Sequence, residues 1–213
     1  MKKERTAVIY NGYDEEVAHH LKPSEANNTF TLAYAGRLYD YQRLESFLEG
    51  LRIFLSHHAG AKVKVVFYGM SFYPEMVKRA KCFHQSLEKH LFFTERITYS
   101  RLMQNLHSAD ALLLLSAPSA DWLSAKIFDY LPHKKPILLV EGDQGVLEKI
   151  LEETSLGFVC NNANEVSSYI KELYEVWAST GKTEIENASS SHAYTRKAST
   201  KQLADYLLDI NCF

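Results

Sequence analysis

The sequence predicts an α/β fold: a Rossmann-like, doubly wound parallel sheet of about six strands with helices on both faces. Three observations carry this. Short apolar runs of strand length recur along the chain, among them FTLAYA, VKVVFY, DALLLL and PILLV. Segments of helical periodicity separate them. Several of the runs are apolar at successive rather than alternate positions, as in strands covered on both faces. Strands alternating with helices need crossover connections, whose right-handedness distributes the helices over the two faces.

The elements follow in chain order. Residues 6–10 (TAVIY) form a short strand or an extended linker, Asn11-Gly12 a turn, and Asp14-Glu15-Glu16 the start of a short polar helix. Residues 19–28 are polar and broken by Pro23, hence a loop. The run FTLAYA is a strand that ends at Gly36-Arg37. A glycine after a strand lets a backbone or ligand approach closely, and an arginine beside it can grip a phosphate bidentately; a plain turn with a solvated arginine is the alternative. No Gly-x-Gly-x-x-Gly follows, so this is not a dinucleotide fingerprint. Leu44, Phe47, Leu48 and Leu51 repeat at helical spacing as core.

VKVVFY is the second strand, closed by Gly69, and Pro74 opens a helix expected to run over 74–90 with Met76, Ala80, Phe83 and Leu87 inward. Residues 91–94 are a third strand, and Ser100 caps a helix reaching Leu106. Residues 110–115 are the most hydrophobic run and the most central strand. The stretch 121–140 (DWLSAKIFDYLPHKKPILLV) then reads as helix, break, buried strand. Ser119 and Asp121 offer N-caps, and Trp122, Ala125, Ile127, Phe128 and Leu131 an inward face. Pro132 ends the helix, the basic turn His133-Lys134-Lys135 follows, and residues 136–140 are the next strand. A helix over 146–153, a short strand over 157–160 and a helix capped by Asn164 follow. That helix turns Ile170, Leu173, Val176 and Trp177 inward. Residues 179–191 are a loop, and Ser191 or Thr195 starts the last helix.

Composition narrows the class. The chain has 213 residues, 46% of them hydrophobic, enough for a sizeable core. Lys and Arg number 24 against 26 Asp and Glu, so no basic excess points to nucleic acid. Cys82, Cys160 and Cys212 are far apart and odd in number. They make neither a metal spacing nor a disulfide framework, which suits a reducing, cytoplasmic location. No apolar stretch approaches the roughly 18 residues of a membrane span, and the opening residues lack an apolar signal core; peripheral membrane contact stays open.

KIFDYLPHKKPILLV resembles the K-x-F-E-Y-L-(small)-x-(Gly)-K-P-hydrophobic signature of nucleotide-sugar-dependent glycosyltransferases of the GT-B fold, in the large retaining group called family four. Asp121 and Asp129 match the spacing of that family's two glutamates, each one methylene shorter, and Lys134 stands where the family usually has glycine. YAGRLYDYQRLESFLEGL is similar to its G-R-L-x-x-x-K-G stretch. Gly36, Arg37 and Leu38 match, while the diphosphate-holding lysine falls on Gln42, with Arg43 beside it. VIYNGYDEE is similar to the segment where family chains cross into the C-terminal domain.

The resemblance implies a chain divided into a hinge segment over 1–29, a donor-binding domain over 30–190, and a terminal helical segment over 191–213 that returns toward an N-terminal acceptor-binding domain absent from this chain. It implies that Gly36 and Arg37, with Gln42 or Arg43, hold a donor diphosphate. The helix start at Ser124, Ala125 and Lys126 faces it from the other side. Asp129 takes the ribose hydroxyls, Asp121 faces the transferred sugar, and Arg96, Ile97, Thr98 and Tyr99 neighbour the base. Arg37 and Asp121 are then the residues nearest the chemistry. The reaction is retaining, with no metal and no cofactor beyond the nucleotide-sugar donor, in polysaccharide synthesis of a bacterial kind. On this view the chain alone transfers sugar poorly. The rivals are half of a sugar-nucleotide epimerase or of a phosphorylase, for which no acid–base pair or pyridoxal-phosphate lysine stands out, and a non-catalytic nucleotide-binding or interaction module. Without the resemblance, Asp121 and Asp129 read as an N-cap and a surface residue.

Overall fold

The computed structural model describes residues 6–16, 21–22, 28–117, 122–185 and 191–211. Six strands, β1 (Phe30–Ala35), β2 (Val63–Tyr68), β3 (Leu91–Phe93), β4 (Ala111–Leu115), β5 (Ile137–Val140) and β6 (Gly157–Cys160), form one sheet in the order β3-β2-β1-β4-β5-β6. Every neighbouring pair is parallel. This is the Rossmann order, with β1 and β4 adjacent at the point where the winding reverses. The α/β class and the doubly wound sheet are as the apolar runs predict.

The strand runs bury both faces because successive side chains point to opposite sides of the pleat. In β4, Ala111, Leu113 and Leu115 join one core with Leu32 and Tyr34 of β1, while Leu112 and Leu114 join the other with Ala33 and Ala35. The first core is roofed by α1 (Leu44–His57), α2 (Pro74–Lys81) and α6 (Ala163–Thr180), the second by α3 (Tyr99–His107), α4 (Lys126–Tyr130) and α5 (Val146–Thr154). The helix pair α1 and α6 packs closely because Gly50 leaves room: a Cβ there would stand 2.4 Å from Val166 Cγ1. The final helix α7 (Arg196–Asn211) is tied to the first described segment, with Tyr13 N–H donating to Tyr194 O and Arg196 N–H to Tyr13 O.

Several elements differ from the expectation. Residues 6–10 form no strand. The helix over 74–90 is two pieces, because His84 is extended and its Nδ1 accepts Ser86 N–H, restarting the chain as a 3-10 turn over Gln85–His90. Helix α3 starts after Thr98, not at Ser100. Helix α6 is capped by Asn162, which accepts Glu165 N–H, while Glu165 reaches back to Asn161 N–H and the Asn162 amide. Val176 is exposed. Of the basic turn, His133 and Lys135 are buried; Lys135 pairs with Glu184 at 3.1 Å. Ser119 and Asp121 lie outside the described residues, and the helix expected to follow them begins only at Lys126. Trp122 therefore precedes it, and Ala125 is exposed. No described helix is long and apolar enough to cross a membrane.

Lys134 sits at φ 52°, ψ 32°, a left-handed conformation that crowds a Cβ. Lys134→Gly removes that clash, offset in part by glycine's greater freedom when unfolded. The expected net gain is about 0.5–1 kcal/mol, read as a higher urea midpoint with an unchanged slope.

Candidate functional site

In an open parallel sheet the loops at the carboxyl ends separate where the strand order reverses, leaving a crevice. Here that point lies between β1 and β4, whose pairing consists of Leu32↔Ala111 and Ala33↔Leu112. Beyond it the strands part, and side chains take up the backbone groups they leave. The buried Tyr130 hydroxyl accepts Ala35 N–H at 3.0 Å and donates to Leu113 O at 3.1 Å. Gln42, fully buried, donates from Nε2 to Leu115 O at 2.7 Å and accepts Tyr39 N–H at 3.0 Å. Gly36 N–H donates to Tyr68 O, which extends the β1–β2 ladder by one rung.

The loop from Gly36 to Arg43 and the start of α4 form the walls of this crevice. Gly36 holds φ 82°, open to glycine at little cost. Lys126 crosses from α4 to this loop. Its Nζ donates to Arg37 O at 3.1 Å and stands over the rings of Tyr34 and Tyr39 at 5.2 and 6.0 Å. Burial lowers its pKa to about 8, with Asp129 acting in the opposite direction. The Arg37 guanidinium lies exposed between the rings of Tyr39 and Tyr73, at 4.8 and 5.1 Å. Arg96 is stacked 3.9 Å over Phe72 and donates to the Tyr73 hydroxyl. Three cations thus line one rim, each resting on aromatic faces.

Asp129, on α4, accepts the Tyr99 hydroxyl at 3.0 Å. Burial raises the Asp129 pKa, while Tyr99, Arg196 and Lys126 pull it back. Burial of its hydroxyl end and the Asp129 charge push Tyr99 up to about 12, so it stays a neutral donor. The pair gives the crevice an acceptor-rich edge suited to ligand hydroxyls. Ile97 and Thr98 occupy the loop between β3 and α3 with Arg96 and Tyr99.

The structure therefore brings Gly36, Arg37, Lys126, Asp129, Arg96 and Tyr99 around the carboxyl ends of the strands. Gln42 does not join them: its amide is consumed beneath the loop, so it is a brace and not a diphosphate contact. Arg43 pairs with Glu141 at 3.3 Å, and Glu141 also accepts the Ser46 hydroxyl. Ser124 is buried, and its carbonyl and that of Ala125 accept Ile127 and Phe128 N–H. Because α4 spans five residues, the positive charge here comes from Lys126 rather than from a helix dipole. Asp121 lies outside the described residues. The aromatic partners Tyr39, Phe72, Tyr73 and Tyr130 escaped the sequence reading; the clustering of Tyr and Phe just past the ends of β1 and β2 is the signal that marks three of them. Among the described residues no group of three or more His, Cys, Asp or Glu could hold a metal ion.

No protein-family model matches the chain, and no curated protein does so significantly. Solved structures do. The chain is similar to a glycosyltransferase from Rickettsia africae ESF-5, with a TM-score of 0.72, 16% identity, and coverage of 97% of this chain and 58% of that one. It is similar to Anabaena HepE in complex with UDP-glucose, with a TM-score of 0.71, 17% identity, and coverage of 95% and 57%. It is also similar to TarM from S. aureus in a complex that includes UDP, with a TM-score of 0.67, 14% identity, and coverage of 97% and 40%. These neighbours are GT-B glycosyltransferases, and this chain has the fold of one Rossmann-like half of that architecture. It spans a little over half the length of the first two.

Tyr130→Phe keeps the ring and strips the hydroxyl that joins β1 to β4, and Gln42→Leu does the same for the loop. The first leaves two buried backbone groups without that partner and the second leaves the buried Leu115 O and the half-buried Tyr39 N–H, at about 1–3 kcal/mol per buried group. Urea denaturation is expected to show both variants less stable.

Proposed function

We propose that this chain is the donor-binding half of a GT-B glycosyltransferase and that its crevice takes a nucleoside-diphosphate sugar. The observation that supports this most directly is Lys126, half-buried at the point of strand reversal and bonded to the loop that carries Gly36 and Arg37. The complexes of the structural neighbours with UDP and UDP-glucose support the same ligand class.

In this reading the Arg37 guanidinium and the Lys126 ammonium neutralise the diphosphate. As the bond from the anomeric carbon to the diphosphate oxygen breaks, negative charge builds on the leaving nucleotide. Two cations fixed beforehand stabilise it without reorganising, which makes the reaction metal-independent. Gly36 contributes its positive φ and lack of a side chain, since its N–H is already engaged. Asp129 accepts the ribose hydroxyls and Asp121 faces the transferred hexosyl group. Arg96, Ile97, Thr98 and Tyr99 border the base, with the Phe72–Arg96 stack beside them. The reaction retains anomeric configuration, and an acceptor-binding lobe completes the cleft. The protein works in the cytoplasm, in polysaccharide synthesis.

A second reading, a nucleotide-binding or interaction module without catalysis, is favoured by Gln42, which is locked in the fold where the resembled pattern has a free lysine. Calorimetric titration with UDP, GDP, UDP-glucose and GDP-mannose separates the two. Binding of one base at micromolar to millimolar strength, weakened about ten- to hundredfold by Arg37→Ala, is expected for the donor half. No binding by a longer chain that includes an acceptor lobe would overturn it in favour of the module.

Lys126 adds a pH signature. Its ammonium loses its proton near pH 8 in the free protein, against an ordinary value of 10.5. An anion alongside raises that value, so above about pH 8 binding must take up a proton. Sugar-nucleotide affinity is expected to hold steady between pH 7 and 8, then fall by up to about tenfold per unit. Lys126→Met should weaken binding and flatten the slope.

A further inference from the structure

At the opposite end of the sheet, where β1 to β3 begin, lies an open cavity of about 750 Å³. Its charged and titratable lining is Arg52 and His58 from α1 and its exit, Lys62 and Lys64 at the start of β2, and Lys89 and His90 just before β3. Among the described residues that line it there is no carboxylate. Arg52 gives its Nε and Nη2 to Glu49, which stands outside the lining, so its charge is largely spent. The three lysines have no ion-pair partner among the described residues, although Lys64 also lies within electrostatic reach of Asp110. Like charges gathered without counter-charge are unfavourable to one another until an anion joins them.

The two histidines are held in one orientation. His58 Nδ1 is 2.9 Å from Phe54 O, its ring stacked on Phe54, and His90 Nδ1 is 2.8 Å from Val63 O. A carbonyl only accepts, so Nδ1 carries the hydrogen in each ring. Nε2 is then the nitrogen left for a ligand, an acceptor when the ring is neutral and a further donor when it is protonated. Leu55 and the half-exposed Phe92 add an apolar wall beside these groups.

We propose that this cavity is a second anion-binding site, for a ligand bearing phosphate groups, as a soluble polyphosphate or as the headgroup of an acidic lipid. The apolar wall suits either a bare diphosphate edge or the glycerol and first methylenes of a lipid. The site is separate from the crevice: the strands between them are about 20 Å long. It does not rest on the donor reading.

The test uses the full chain. Inorganic pyrophosphate is titrated by calorimetry, and vesicles of phosphatidylcholine and phosphatidylglycerol in equal parts are sedimented with the protein, for the wild type, Lys62→Glu/Lys89→Glu and Arg37→Ala. Both lysines are exposed, so the double variant should fold, which its thermal melt checks. The expected result is binding to at least one probe, lost by about tenfold or more on charge reversal and kept in Arg37→Ala. Pyrophosphate binding would identify a soluble polyphosphate as source; binding to vesicles alone would identify the headgroup. Binding to neither probe, binding unchanged by charge reversal, or binding abolished by Arg37→Ala would overturn the site. Sugar-nucleotide titration of the double variant reports on the crevice separately.

Discussion

Where two parallel strands diverge, each loses the partner of its backbone hydrogen bonds, and in a dry interior those groups must find another. The parting of β1 from β4 is that place in this chain, and the remainder of the crevice depends on how it is satisfied. Tyr130 arrives from α4 to hold Ala35 and Leu113. Gln42 arrives from the loop after β1 to hold Leu115 and Tyr39. The Tyr34 hydroxyl then donates to Arg37 O. The same contacts that seal the core fix the loop that carries Gly36 and Arg37, and fix the helix that carries Lys126 and Asp129. A site assembled this way is held by buried bonds rather than by the mobility of its loops.

The parts of the fold that burial dictates were legible in the sequence. Leu112 to Leu115 can only be a strand covered on both sides, and Leu44, Phe47, Leu48 and Leu51 can only present one face of a helix to it. What escaped was set by single hydrogen bonds. Periodicity continues across 74–90, yet one extended residue, His84, divides the segment. Asn162 and Asn164 are equally good caps by type, and the choice falls to Asn162 because Glu165 lies three residues beyond it and can reciprocate. Helix α4 starts later than its sequence suggests because residues 122–125 have helical composition but sit under tertiary constraint from Tyr39 and Tyr41, against which Trp122 packs edge-on.

The candidate site was legible where it depends on backbone and charge. Gly36, Arg37, Lys126 and Asp129 are marked by their positions after a strand and at the start of a helix, and the structure puts them together. Gln42 shows the limit of such a reading. Its sequence position points to the ligand, but its side chain is neutral, and a neutral amide can be buried when its nitrogen and its oxygen both find partners, as they do here. The aromatic residues were invisible for a different reason. Tyr39 and Tyr73 matter through faces turned toward Arg37, and no spacing in sequence brings the ends of β1 and β2 to one cation.

Those faces bear on how the cations of the crevice are held. Burial brings the Lys126 pKa down to about 8, and the Arg37 and Arg96 guanidiniums lie against rings. Aromatic faces carry partial negative charge, so Tyr34, Tyr39, Phe72 and Tyr73 offset part of the positive charge of these side chains without contributing a full counter-charge. A carboxylate in their place would satisfy the cations and compete with a ligand. Rings hold them in position and leave them short of charge. The arrangement at the amino end of the sheet follows the same logic with less shielding: lysines without acids, beside imidazoles tied by one nitrogen and by an apolar wall. Each end of the sheet thus gathers basic side chains in a chain that is nearly neutral overall, with Asp129 the carboxylate that acts on Lys126 in the crevice and none lining the cavity at the other end among the described residues.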